Sequence, residues 1–303
     1  MAKSKVVVVR SKNVISSSGK IDSEMVSEMI NRGLTKLTEP PKPTDALATL
    51  FSKKDVIGMK TNCLSGKMLS THPEICFALA DILKKIGIKE ENIIIWDRQN
   101  SELKEAGFPL NYSLNGFRCY GTDSQDVGYG SYSDLKSFKN IGSMFSQIFS
   151  ERTTVMINLP ILKDHSLAGV SGGMKNLFGI IHNPNKYHEN NCDPFVADLG
   201  VMPEVKEKNK LTICDCLKVQ YNAGPSYHPQ WAENYGGIIF GTDPVAVDFV
   251  AYKIIDKIRT KNNLPTLEKA KRMPKYIFTA ADTEHNLGKA TDQEIDLIEE
   301  RIG

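Results

Sequence analysis

Side chains able to do chemistry crowd into residues 158–188. Asn158-Leu159-Pro160-Ile161-Leu162-Lys163-Asp164-His165 is followed by Ser171-Gly172-Gly173-Met174-Lys175-Asn176-Leu177-Phe178-Gly179, and then by His182, Lys186 and His188. Glycines at these positions permit a tight turn or bring backbone amides close to an anion. Lys163 and Lys175 supply positive charge, and Asn176 can orient ligand oxygens. His165 titrates near neutrality in its ordinary state, so it suits acid–base work, with Lys175 as its catalytic companion. His182 and His188 are metal-ligand types, but their spacing matches no HExxH or related zinc signature. A metal site, an anion site without metal, and a set of helix caps around a structural turn all stay open. The order GxxxxGK[ST] is absent, as is a GxGxxG after the first strand, which disfavours P-loop and dinucleotide-binding readings.

Further candidates lie outside this stretch. Lys60-Thr61-Asn62 follows an apolar run, so Lys60 and Asn62 are candidate anion-binding groups. Cys214-Asp215-Cys216 places two thiols on one strand face, since the side-chain period is two. Two small buried hydrophobes is one reading. The other is a metal site that joins Cys214 or Cys216, or Cys192, to His182 and His188. Asp243-Pro244 reads as a helix start with Asp243 as the cap. Asp248, one turn on among apolar neighbours, needs a partner, a lysine, a backbone amide or a metal, and is counted with Lys60, Asn62, Lys163 and Asn176 as a candidate substrate-binding residue. The six cysteines contain no CxxCxxCxxxCP run, so no built-in ferredoxin-type cluster is expected.

Alternating short apolar runs and amphipathic stretches must position these groups. Strands are expected at 6–9, 56–60, 93–96, 155–159, 211–213, 237–240 and 276–279. Helices are expected at 22–37, 44–51, 73–86, from 243 through 254, and at 292–301. The pattern predicts an α/β protein, a mostly parallel or mixed sheet sandwiched by helices. Residues 1–303 read as a single domain. Its 99–150 stretch, rich in Gly, Ser, Asn and Tyr, is a candidate inserted subdomain, lid or interaction surface. Ligands in such sheets bind beyond the carboxyl ends of the strands, which brings Lys60 to Asn62 and Asp97-Arg98 toward a site.

Composition narrows the class. The chain has 303 residues, 41% hydrophobic and 24% charged, so it is not a disordered chain. Lys plus Arg is 38 against Asp plus Glu 36, and a net charge of +2 gives no general nucleic-acid surface. No apolar run reaches the ~18 residues needed to span a bilayer. The apolar stretch at the start is too short for a signal peptide, so a cytosolic location is expected.

GMKTN at 58–62, LPILKDHSLAGVSGGMKNLFGI at 159–180, the Lys186 and His188 pair, ICDCLKVQYNAGP at 213–225 and FGTDPVAVDFVA at 240–251 together resemble the domain-of-unknown-function 362 (DUF362) proteins. The likeness covers nearly the whole chain. Some members of that family carry ferredoxin-like clusters, which this chain lacks. His165 to Lys175 also resembles the His…GlyGly…Lys stretch of the nickel-pincer lactate racemases. That resemblance implies an acid–base role for His165 and a covalently tethered cofactor, or contact with one, at Lys175, with His188 as a loose nickel-ligand candidate. The Asp-Xaa-Xaa-Arg segment of the racemases has no counterpart here. The resulting expectation is an enzyme acting on a small anionic molecule, a carboxylate or a phosphate. The alternatives are a non-enzymatic binder of a transition metal or cofactor with a redox accessory role, and a protein-interaction module.

Overall fold

The computed structural model describes residues 3–303. The chain enters on β1 (Ser4–Arg10), where Val6 and Val8 face one side of the sheet and Val7 and Val9 the other. All four valines are buried, each contributing roughly 1.5–3 kcal/mol through loss of apolar surface to water. Helix α1 (Ser23–Thr38) starts at Asp22, whose carboxylate accepts the N–H groups of Glu24 and Met25, and α2 (Pro43–Ala48) follows. Strand β2 (Ile57–Lys60), helix α3 (Pro73–Lys85) and strand β3 (Ile93–Trp96) form a parallel crossover. Then come α4 (Asn100–Glu105), β4 (Arg118–Cys119) and a small hairpin of β5 (Lys136–Phe138) and β6 (Ile141–Ser143). Strands β7 (Val155–Asn158), β8 (Ile161–His165) and β9 (Gly169–Ser171) lead into a single helical turn, α5 (Gly173–Asn176). The remainder is α6 (Phe195–Val201), α7 (Pro203–Lys208), β10 (Asn209–Gln220), β11 (Ala232–Gly241), α8 (Pro244–Lys261), α9 (Lys275–Ala281) and β12 (Ile295–Arg301).

The main sheet runs β12-β1-β11-β10-β7-β2-β3-β4, with β8 on β10 and β9 on β8. Pairings are parallel except β1–β11, β10–β11 and β8–β9. Helices cover both faces. Residues of α1, α2 and α3 pack one core, and residues of α5 to α9 pack the other. This is the expected α/β sandwich. No helix of the described residues is long and apolar enough to cross a membrane.

Two expected elements change type. Residues 276–279 belong to helix α9, not a strand: Tyr276, Ile277 and Ala280 are the buried positions, a helical spacing. Residues 292–301 give strand β12 instead of a helix. Ile295 and Leu297 face α8, while Ile298 faces the α1 core, the period of two that a strand between two helical layers requires. Its parallel pairing to β1 supplies the hydrogen bonds that the buried β1 edge needs.

Candidate functional site

Strand β2 ends in Lys60, β3 is followed by Asp97 and Arg98, and β7 ends in Asn158, so three adjacent strands finish at one edge. Strand β8 then carries Lys163 and His165, and the turn after β9 carries Lys175 and Asn176. Apart from Asn158, which is fully buried, these groups line a cleft of about 330 Å³ together with Asn62, Glu102, Phe178, His188 and Pro225.

Asn62 and Asn176 frame its floor, and buried Asn158 is bonded to Asn176 behind it. The Asn62 amide donates to the side-chain oxygen of Asn176 at 3.1 Å, and the Asn176 amide donates to that of Asn158 at 2.8 Å. Asn158 in turn donates to the Gly173 carbonyl at 2.7 Å. Lys163 donates to Asn62 at 3.2 Å and to Ser65 at 2.8 Å. Ser65 also donates to the Pro225 carbonyl at 2.9 Å, which ties the segment after β10 to the cleft. That segment is pinned from below: Gly224 N–H donates to Asp164 at 2.9 Å, and Asp164 is paired with Arg272 at 2.9 Å.

The lysines divide by partner. Lys60 is buried and ion-paired to Asp97 at 2.7 Å, so its charge is already balanced. Lys163 is as deeply buried and Lys175 is also buried, yet their hydrogen bonds go to neutral groups. Burial pushes each ammonium down to about 8. A displacement of that size corresponds to roughly 3 kcal/mol of penalty on each charged form. Arg98 also faces the cleft but is engaged by Glu102 at 3.3 Å. Burial, and then the nearby Asp97, raises the Glu102 carboxyl.

Hydrogen bonds assign the histidine tautomers. His165 Nδ1 accepts the N–H groups of Leu167 at 3.3 Å and Ala168 at 3.1 Å, so its proton sits on Nε2. Burial, reinforced by Lys175, brings His165 down to about 3, and the ring is neutral at physiological pH. His188 Nδ1 faces the Pro184 carbonyl at 3.1 Å and must donate to it, which leaves Nε2 as an acceptor for Lys175 Nζ at 3.1 Å. Burial and Lys175 also lower His188. The two imidazoles stack with centroids 5.7 Å apart. Lys175 Nζ lies 4.3 Å from the Phe178 ring centroid, a contact worth about 1–2 kcal/mol to the ammonium and too small to offset its burial.

Asp248 has another position than the expected ligand-binding one. It is fully buried beneath α5, where its carboxylate accepts the N–H of Gly173 at 2.5 Å and of Met174 at 3.0 Å. Tyr276 OH approaches the same carboxylate at 3.4 Å. Burial raises it to about 7 against the pull of those two amides. Asp248 therefore acts on Lys175 through the backbone turn that carries it.

The candidate metal ligands do not converge. His188 is in the cleft, whereas the His182 ring packs against Tyr129. Cys214 and Cys216 are buried in the middle of β10 with sulfurs 3.9 Å apart. The Cys216 bond and then burial hold the Cys214 thiol well above its ordinary value, and burial raises Cys216, so both stay protonated. Among the described residues no group of three or more His, Cys, Asp or Glu is placed to hold a metal. From the 99–150 stretch, Glu102 reaches the cleft.

Residue types alone did not reveal Ser65, Glu102 or Phe178 as lining or supporting groups. Glu102 had a signal, a carboxylate four residues after Arg98 and in the first turn of α4, able to reach back to it. Ser65 had none.

Fold and site together define an α/β protein with a basic cleft at the carboxyl ends of its parallel strands. The family model described as domain of unknown function (DUF362) matches residues 57–253, and the chain belongs to that family. No curated protein matches the chain. A crystal structure of a protein from Thermotoga maritima is similar at 17% identity with a TM-score of 0.45, covering 80% of this chain and 59% of that one. The likeness to the nickel-pincer racemases is not confirmed by these comparisons.

Proposed function

We propose that this protein binds a small organic or phosphate-bearing anion in the cleft and acts on it by proton transfer. One observation carries the reading: Lys163 and Lys175 are buried in one open cleft and hydrogen-bonded to neutral partners. Burying a charge without a counter-charge costs several kcal/mol, and a ligand of opposite sign removes that penalty. Lys163 would hold the anion. His165, neutral with its proton on Nε2, would donate a hydrogen bond to an oxygen that gains charge. Lys175 and His188 would share the proton that moves. A cytosolic setting belongs to the same reading and rests on the sequence alone.

Calorimetric titration with oxalate and with inorganic phosphate tests it. One of these anions should bind at a single site at pH 7, and Lys163→Met should weaken that binding at least tenfold. Equal binding by wild type and Lys163→Met would remove the cleft from consideration.

A further inference from the structure

The Lys175 amine has an arrangement that simple anion binding does not need. Its Nζ is buried, its hydrogen-bond partner is the unprotonated Nε2 of His188 at 3.1 Å, and that nitrogen is kept free of a proton by the Pro184 carbonyl on the far side of the ring. Lys163 opens onto the same cleft and is placed to hold a carboxylate. A carbonyl carbon next to that carboxylate would then face an amine with a proton acceptor beside it.

On these grounds we propose that Lys175 is a nucleophile that condenses through its ε-amine with the carbonyl carbon of a small aldehyde acid or 2-oxo acid bound in the cleft. The inference rests on the anion-binding reading and adds the substrate's carbonyl group. The Lys175 ammonium passes one proton to His188 Nε2, and the freed nitrogen pair forms a bond to the carbonyl carbon. The carbonyl π pair moves to oxygen, which takes a proton from the Lys163 ammonium. A second nitrogen-bound proton returns to Lys163 as the nitrogen closes the C=N bond. His188 gives its proton back to the oxygen, which departs as water. Ammonium plus carbonyl thus gives a protonated imine and one water, with no oxidant or reductant. The lowered proton affinity of Lys175, pushed down to about 8 by burial, supports a usable amine fraction near neutrality.

The test is reductive trapping on the intact chain. Protein is incubated with glyoxylate and cyanoborohydride at pH 7.5, then digested and mapped by mass. A carboxymethyl group should appear on Lys175 at least tenfold faster than on the exposed lysines of the same molecule, such as Lys89 and Lys261. Those lysines serve as an internal reference, so the result does not depend on whether any variant folds. Oxalate, which has no electrophilic carbonyl, should slow labelling of Lys175 and leave the exposed sites unchanged. His188→Gln should lower the Lys175 rate severalfold. Labelling of Lys175 no faster than the exposed lysines overturns the proposal. Oxalate binding measured on the same preparation then separates the two ideas. Bound oxalate without selective labelling leaves the anion site standing and removes the nucleophile, whereas no selective labelling with neither oxalate nor inorganic phosphate bound removes both.

Discussion

Lys163 shows how a residue exposes a conflict between stability and ligand binding. Its ammonium is buried against Asn62 and Ser65, with Lys175, Asp97, Glu102 and Cys63 as the other titratable groups that act on it. Burial sets its folded value at about 8, below the ~10.4 of an unfolded chain. The unfolded state therefore binds more protons between those values, and stability rises as pH climbs from about 8 toward ~10. Lys163→Met removes the buried charge and keeps much of the volume, so it should stabilise the ligand-free protein by about 1–3 kcal/mol at pH 7. Urea denaturation at pH 7 and pH 9.5 checks both size and sign: the variant's advantage should shrink at the higher pH. A variant less stable than wild type at pH 7 would mean that the bonds to Asn62 and Ser65 outweigh the cost of burial. Oxalate should reverse the order by stabilising wild type alone.

At the scale of elements, the turn that carries Lys175 is held by helix α8, distant in sequence. Asp248 on α8 takes the N–H groups that begin α5, and its carboxylate fills the space a side chain at Gly172 would need. A Cβ on Gly172 would lie 2.5 Å from Asp248 Oδ1, so Gly172→Ala must displace the carboxylate or the turn. The expected cost is about 2 kcal/mol, with oxalate binding weakened because Lys175 moves with its backbone. Gly142→Ala is the control, since a Cβ there meets nothing within 4 Å, and it should change stability by less than about 0.5 kcal/mol. Thermal melts and calorimetry on the pair separate a local positioning effect from general glycine sensitivity. From the sequence, Asp248 was recognisable as a buried carboxylate in need of a partner. That the partner would be Gly173 and Met174 was not, because contacts of this range come from sheet order. The Lys163 and His165 positions were legible as reactive but not as strand residues. The isolated run 161–165 is polar at three of its five positions, and β8 gains its strand form by pairing with β10 and β9.

For the molecule as a whole, the buried strands β1, β2, β3 and β7 were readable because short, largely apolar runs between helical stretches have few other uses. The far edge was harder. In β12 the charged residues Asp296, Glu299, Glu300 and Arg301 fit a helix surface as well as an edge strand, and only the open edge of β1 decides between them. The cleft is likewise a product of topology. Its walls come from Lys60 to Leu64, Asp97 to Glu102, Lys163 to Gly179, Pro184 to His188 and Pro225, joined only because β2, β3, β7 and β8 end together. A ligand that binds there links these segments in one equilibrium, and at a hundred times its dissociation constant it adds about 2.7 kcal/mol to folding stability. Hydrogen exchange read by mass spectrometry should then show oxalate slowing exchange in the four longer segments together, Pro225 having no amide proton to report. The groove between α8 and β12, on another part of the molecule and of similar size, should be unaffected. Slowing confined to 163–179 would mean that the anion contacts the β8–α5 region alone, and that the cleft does not act as a single site.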